Sequence, residues 1–206
     1  MNAREFGGLA LILFAVGLPA VANAGAAPAD DVVREMNLAR QNPAQYAALM
    51  EERRATYRGK EGTRALEEAI RFLRSAGPRA PLVLSPGMSR AAADHCAEQA
   101  GGGRSHRGRG GSTTGDRLNR YGRWVGRWGE NLSCGRSSAR EIVIALIIDD
   151  GLRSRKHRAN IFNPDFRFAG AAMGSHAQYR TICSMEFAGG YAEQGQSASE
   201  SLVARN

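Results

Sequence analysis

From Asp31 onward apolar residues recur at helical spacing. Val33, Met36, Ala39, Tyr46 and Leu49 are interleaved with Arg34, Glu35, Arg40 and Gln41, which predicts an amphipathic helix with Asp30 or Asp31 as its cap. Pro43 interrupts the run and starts a second helical piece after Asn42, since proline is tolerated at a first helical position. Thr63 to Ser75 repeats the pattern with Leu66, Ile70 and Leu73 on one side, and Gly77-Pro78 stops it. Leu82-Val83-Leu84 is a short apolar stretch. Ser85 as cap and Pro86 in the first turn then open a helix through about Ala100. Ala91, Ala92, His95, Cys96 and Gln99 lie on or near one stripe of it, and Gly101-Gly102-Gly103 ends it.

The pattern fades over residues 101 to 129, which are rich in glycine and arginine and read as a long loop of the kind that often carries function. Ser137 or Ser138 then caps a strongly apolar run from Ala139 to Asp150. Strand competes for that run, but its cap and length favour a buried helix. Phe166–Gly174 and Tyr179–Phe187 read as two strands joined by a hairpin loop at Ser175-His176-Ala177-Gln178. Helices first, then a loop, a helix and a terminal hairpin make an α+β domain. It is expected over residues 31–191, with a fraying tail over 192–206.

The N-terminus changes the setting. Arg4 precedes an uncharged apolar run from Gly7 to Val21, followed by Ala22-Asn23-Ala24. That order is the pattern of a secretory signal peptide over residues 1–24, cleaved near Ala24, so the mature chain is expected to be secreted or periplasmic. No later apolar stretch reaches membrane length. The net charge of +8 comes from local arginine clusters: Arg104, Arg107 and Arg109, then Arg117, Arg120, Arg123 and Arg127, then Arg153, Arg155, Lys156 and Arg158. Outside the cytoplasm such charge suits anionic lipid, glycan or cell wall, with peripheral contact at a membrane surface, rather than nucleic acid. A monomer is expected. Cys96, Cys134 and Cys183 allow at most one intramolecular disulfide. Cys134–Cys183 is the expected pair, and buried free thiols are the alternative.

Four groups could carry chemistry. His106 lies in the glycine-rich loop, Glu130 in Gly-Glu-Asn-Leu, Asp149 and Asp150 at the end of the apolar helix, and His157 in Lys-His-Arg-Ala-Asn-Ile-Phe. Two imidazoles with one or two carboxylates could hold a divalent metal, zinc above all, or act as acid–base pairs. The blander alternatives are a solvated His106, a Glu130 paired with Arg127, and an Asp149 that needs a cation because a helix C-terminus disfavours an anion. Arg153 and Arg155 are the candidate cations. His95 reads as core or support, and His176 as a turn residue.

At these residues the chain resembles the CAP superfamily of cysteine-rich secretory, antigen 5 and pathogenesis-related 1 proteins, in its bacterial branch. The matching stretches are Met36–Pro43, Ser105–Gly108, Gly129–Leu132 and His157–Phe166. The resemblance implies a three-layer α-β-α sandwich with a central cleft. It further implies a cleft tetrad of His106, Glu130, Asp149 and His157, with His106 and His157 as ligands for Zn2+ or another divalent cation. Asp149 stands where the family usually has Glu, with Asp150 as the other choice, and Leu146 replaces the family's usual tryptophan. Binding of lipid or of a cell-envelope component is the function implied. A metal-dependent hydrolase of peptide or envelope substrate is the alternative, although no nucleophile presents itself beside either histidine.

Overall fold

The computed structural model describes residues 29–195. The expected leader, and the tail from residue 196, lie outside the described residues. The first apolar run forms α1 (Ala29–Gln41), and Pro43 opens α2 (Pro43–Glu51). The next run is α3 (Arg64–Ser75). Val83-Leu84 is a short strand, β1, and Ser85 caps α4 (Pro86–Gln99) by accepting from the Met88 amide at 3.1 Å. Ser138 likewise caps α6 (Ala139–Ile148), accepting from Glu141 at 3.2 Å. A short α7 (Lys156–Phe162) leads to the hairpin of β3 (Phe168–His176) and β4 (Arg180–Glu193).

The expected loop over residues 101–129 is largely ordered. It contains a 3-10 turn at Arg109–Gly111, the helix α5 (Thr114–Leu118), and the first half of the strand β2 (Gly122–Cys134). The first half of β2 is mostly exposed and lacks the sustained alternation that marks a half-buried strand. Its pairing comes from β4, which periodicity along the chain does not report. A bulge between Val125 and Trp128, with Gly126 at φ 79°, bends that half.

The sheet order is β1-β3-β4-β2, with β1 parallel to β3 and the other pairs antiparallel. The register assigns side chains to faces. Glu130, Glu186 and Gly170 share one face, which α4 covers with Met88, Ala91, Ala92 and Cys96. Gly170 is needed there, because a Cβ would sit 2.2 Å from the Ser89 nitrogen. Asn131, Met185 and Ala171 share the other face, where the main core gathers α1, α2, α3, α6 and α7. The result is an α-β-α sandwich. No described helix is long and apolar enough to cross a membrane.

Three further expectations need correction. The register pairs Ser133 with Cys183 and Cys134 with Ile182, so Cys134 and Cys183 point to opposite faces and cannot bond. All three cysteines are free. Burial pushes the Cys96 thiol up to about 12, and the other two upward as well. The last strand continues to Glu193, whose carboxylate accepts from Ser85 Oγ at 2.5 Å and from the Gly87 amide at 3.0 Å at the start of α4. The start of the expected tail is therefore structural. His176 ends β3 rather than sitting in the hairpin turn. It is buried, its Nδ1 accepts from the Gln178 and Tyr179 amides, and its Nε2 bonds Gly103 O at 2.9 Å.

One buried cation fixes the chain that leads from α7 to β3. Arg40 donates to Ala80 O (2.9 Å), Ile161 O (2.6 Å), Asn163 O (3.1 Å) and Phe166 O (3.3 Å). Burial, and then the neighbouring Arg79, lower it to about 10, so it stays charged at neutral pH.

Candidate functional site

The dipeptide Glu130-Asn131 organises the site, because successive strand residues point to opposite faces. On the α4 face, His106 Nδ1 donates to Glu130 Oε1 at 2.6 Å. The loop is pinned on either side of His106. Gln99 accepts from the Ser105 amide and donates to Arg107 O, both at 3.1 Å, and His95 Nε2 bonds Ser105 O at 3.0 Å. His95 is thus a support, as its helix position suggested. On the other face, Asn131 donates to His157 O at 3.0 Å, and Asn160 ties Asn131 to Glu130 O.

His157 is held by Asp149. The carboxylate bonds the ring Nδ1 at 2.7 Å and accepts the His157 amide at 2.9 Å. This resolves the electrostatic difficulty of an acid at the end of α6. Asp149 turns left-handed (φ 55°) and serves the N-terminus of α7 instead, where an anion is favoured. Arg155 steadies the turn by donating to Asp149 O at 2.8 Å, and it pairs with Glu61 and Glu68. Asp150 does not join the histidines. It accepts the Lys60 and Glu61 amides at 2.6 and 3.0 Å and so braces the cleft wall.

Beneath His106 lies a buried charge cluster that motif reading missed. Arg117, fully buried, donates to Glu130 Oε2, to Thr114 Oγ1 at 3.1 Å and to Ser112 O at 3.3 Å. Arg127, the partner expected for Glu130, instead lies 3.8 Å from Asp165. Glu186 is the register partner of Glu130 and is also fully buried, 3.8 Å from Arg117. Burial alone would raise the Glu130 carboxyl, but the His106 hydrogen bond and the nearby His95 and Arg117 hold it below its ordinary value. Burial, and then the Glu130 charge, push Glu186 well above its ordinary value. The signals available in the sequence were an acid inside an apolar strand, Met185-Glu186-Phe187, and the Thr113/Asp116 capping box that starts α5.

Glu186 therefore makes stability depend on pH. The folded chain keeps a proton that the unfolded chain releases above the ordinary Glu pKa, so this contribution falls as pH rises toward the folded value. Glu186→Gln has no proton to lose. Relative to the wild type it gains stability as pH rises from about 4 to 8, measured as the difference in melting temperature across that range.

His106, Asp149 and His157 line a cleft of about 640 Å³ between the edge of β2 and α6. Its floor is apolar: Leu132, Ile144, Ala145, Leu146 and Ile148. The acids that line it are committed, Glu141 to Arg53, Asp149 to His157 and Asp150 to main-chain amides. Among the described residues, Arg58, Lys60, Arg104 and Arg136 on the rim have no carboxylate partner. Arg58 donates to carbonyls, Arg104 lies over the Tyr179 ring at 5.2 Å, and Arg136 donates to Cys134 O. The basic excess therefore divides. Arg40, Arg117, Arg155 and Arg158 hold the fold together, and the rim cations face the cleft.

The donor set bears on a metal. Both carboxylates are used by their histidines, by Arg117 or by a main-chain amide, so Glu130 and Asp149 orient the rings rather than present a ligand atom. Nδ1–H donated to a carboxylate leaves Nε2 as the free donor atom of each ring, which is the usual arrangement of a metal-binding histidine. Among the described residues no three His, Cys, Asp or Glu side chains converge as a metal site. With no third ligand converging among the described residues, the set does not fit a closed four-ligand zinc site, and Nε2 of each ring is the atom a cation would take.

This fold and these paired residues define a class of protein. Residues 33–187 match the model of the cysteine-rich secretory protein (CAP) family, and the chain belongs to that family. Two solved structures resemble it. One is an outer surface protein from Borrelia burgdorferi, 18% identical, covering 53% of this chain and 78% of that one, with a TM-score of 0.44. The other is an extracellular protein containing an SCP domain from Bacillus anthracis str. Ames, 20% identical, covering 53% and 34%, with a TM-score of 0.43. No curated protein matches the chain.

Proposed function

We propose that this is an exported CAP-domain binding protein whose cleft holds an anionic ligand with an apolar part, such as a lipid or another cell-envelope component. One observation carries the reading: an apolar floor and four cations without carboxylate partners among the described residues share a cleft of about 640 Å³, a volume ordinary for a ligand site. Export rests on the charge, apolar run and small-residue order of residues 1–24. Calorimetric titration of the mature protein tests the reading. Dodecyl phosphate binds, whereas dodecyl maltoside and inorganic phosphate each bind at least about tenfold more weakly, because each supplies one of two contributions of a kcal/mol or more. Equal binding of the phosphate and the maltoside would remove the role of charge.

The two carboxylate–histidine pairs favour a second reading, a metal-dependent hydrolase of peptide or envelope substrate. A divalent cation on His106 and His157 would supply a polarised water, while Glu130 and Asp149 hold the rings in register. Zinc titration followed by calorimetry decides whether a metal belongs here. The wild type takes up one equivalent and His106→Ala/His157→Ala takes up none. Unchanged uptake in the variant would place the metal elsewhere.

A further inference from the structure

We infer that the cleft receives an extended, carboxylate-bearing peptide, which adds as a strand to the free edge of β2. The inference rests on the anion-binding reading of the cleft and names the class of its ligand.

The strand β2 closes the sheet on one side, so one of its edges has no partner strand. The ladder fixes which groups occupy that edge. The Gly135 amide donates to Thr181 O at 2.9 Å, and the register continues through Cys134 opposite Ile182. Main-chain groups alternate in an antiparallel pair, so Ser133 and Asn131 also bond β4, while Glu130, Leu132 and Cys134 turn their N–H and C=O outward. Two side-chain contacts agree with this. Asn160 reaches Glu130 O at 3.2 Å, and Arg136 reaches Cys134 O at 3.3 Å. Among the described residues, the Leu132 N–H and C=O and the Cys134 N–H have no such partner. Leu132, Ser133 and Cys134 all line the cleft.

An open edge is a template for another strand, and proteins usually blunt it. The other half of β2 is blunted, with its bulge at Gly126 and exposed Arg123 and Arg127. The half over the cleft is regular. An added peptide residue would exchange two hydrogen bonds with Leu132, and a carbonyl further along would accept from Cys134, which is strand addition. Alternate side chains would face the apolar floor and the rim cations Arg104 and Arg136. An acyl chain laid in the same place would bury three main-chain groups without partners, which disfavours a lipid at this edge.

The test uses the full mature chain and fluorescein-labelled acetyl-Glu-Val-Glu-Val-Glu-amide, read by anisotropy, with dodecyl phosphate as the comparison ligand. Two further peptides are N-methylated at the valines or at the internal glutamate. Strand addition predicts that one of them loses binding about tenfold or more and the other does not, because alternate amides face β2. Leu132→Pro removes an outward N–H without breaking a ladder bond. With an unchanged melting temperature it should weaken the peptide by about tenfold or more as well. Equal effects in the two methylated peptides, or binding of dodecyl phosphate without the peptide, would overturn strand addition and leave the anion-binding cleft standing. Binding of neither probe would overturn both.

Discussion

Arg117→Ala is expected to destabilise the protein by about 3–5 kcal/mol, the cost of breaking a buried ion pair from one side. Arg117 is the cation that faces both Glu130 and Glu186, and all three side chains are buried. Removing it leaves Glu130 charged without that partner, or protonates it, and protonation weakens the bond that positions His106. Against a total stability of about 5–15 kcal/mol, chemical denaturation should show a large fall in midpoint. The cause is separable from packing. Arg117→Met/Glu130→Gln, which removes both charges, should recover a substantial part of the loss. A double variant as unstable as Arg117→Ala would show that shape, not charge, is what Arg117 supplies.

Arg40→Met is the second large effect. The variant keeps an unbranched side chain but strands the carbonyls of Ala80, Ile161, Asn163 and Phe166. The acceptors of Ile161 and Phe166 are in buried bonds and those of Ala80 and Asn163 in part-buried ones. A buried acceptor without a partner costs about 1–3 kcal/mol, water offsets the loss at the other two, and a loss of about 3–5 kcal/mol is expected. Arg40→Lys should restore only a part, because a single ammonium cannot span donors spread over the guanidinium fork. Denaturant midpoints of the two variants check this. A Lys variant equal to the wild type would mean that charge alone suffices.

These two residues show where sequence reading succeeds and where it stops. The helices were legible because their signals are local: Ser85 with Pro86, Ser138 before an apolar run, and Pro43 after Asn42 each act within a few residues. The motifs Ser105–Gly108, Gly129–Leu132 and His157–Phe166 marked His106, Glu130 and His157, which line or underlie the cleft. The strand β2 was not legible, since its bonds come from residues some sixty positions away in β4. The cysteine expectation failed for the same reason, because the face to which Cys134 points depends on that register. Arg40 and Arg117 looked like members of a basic surface. Only the fold shows that carbonyls and carboxylates surround them.

The register also explains how two distant segments come to share one cleft. Glu130 reaches back to the loop at His106, and Asn131, one residue on and facing the other way, holds the start of α7. The two histidines thus depend on one dipeptide, while the cations that would meet a ligand come from three separate segments around them.

The most direct test of the cleft as an anion site is the affinity of dodecyl phosphate for Arg104→Glu/Arg136→Glu, two exposed substitutions that leave the buried network intact. The proposed function predicts a loss of at least about tenfold, with the melting temperature within a few degrees of the wild type. Affinity equal to the wild type in a folded variant would contradict it.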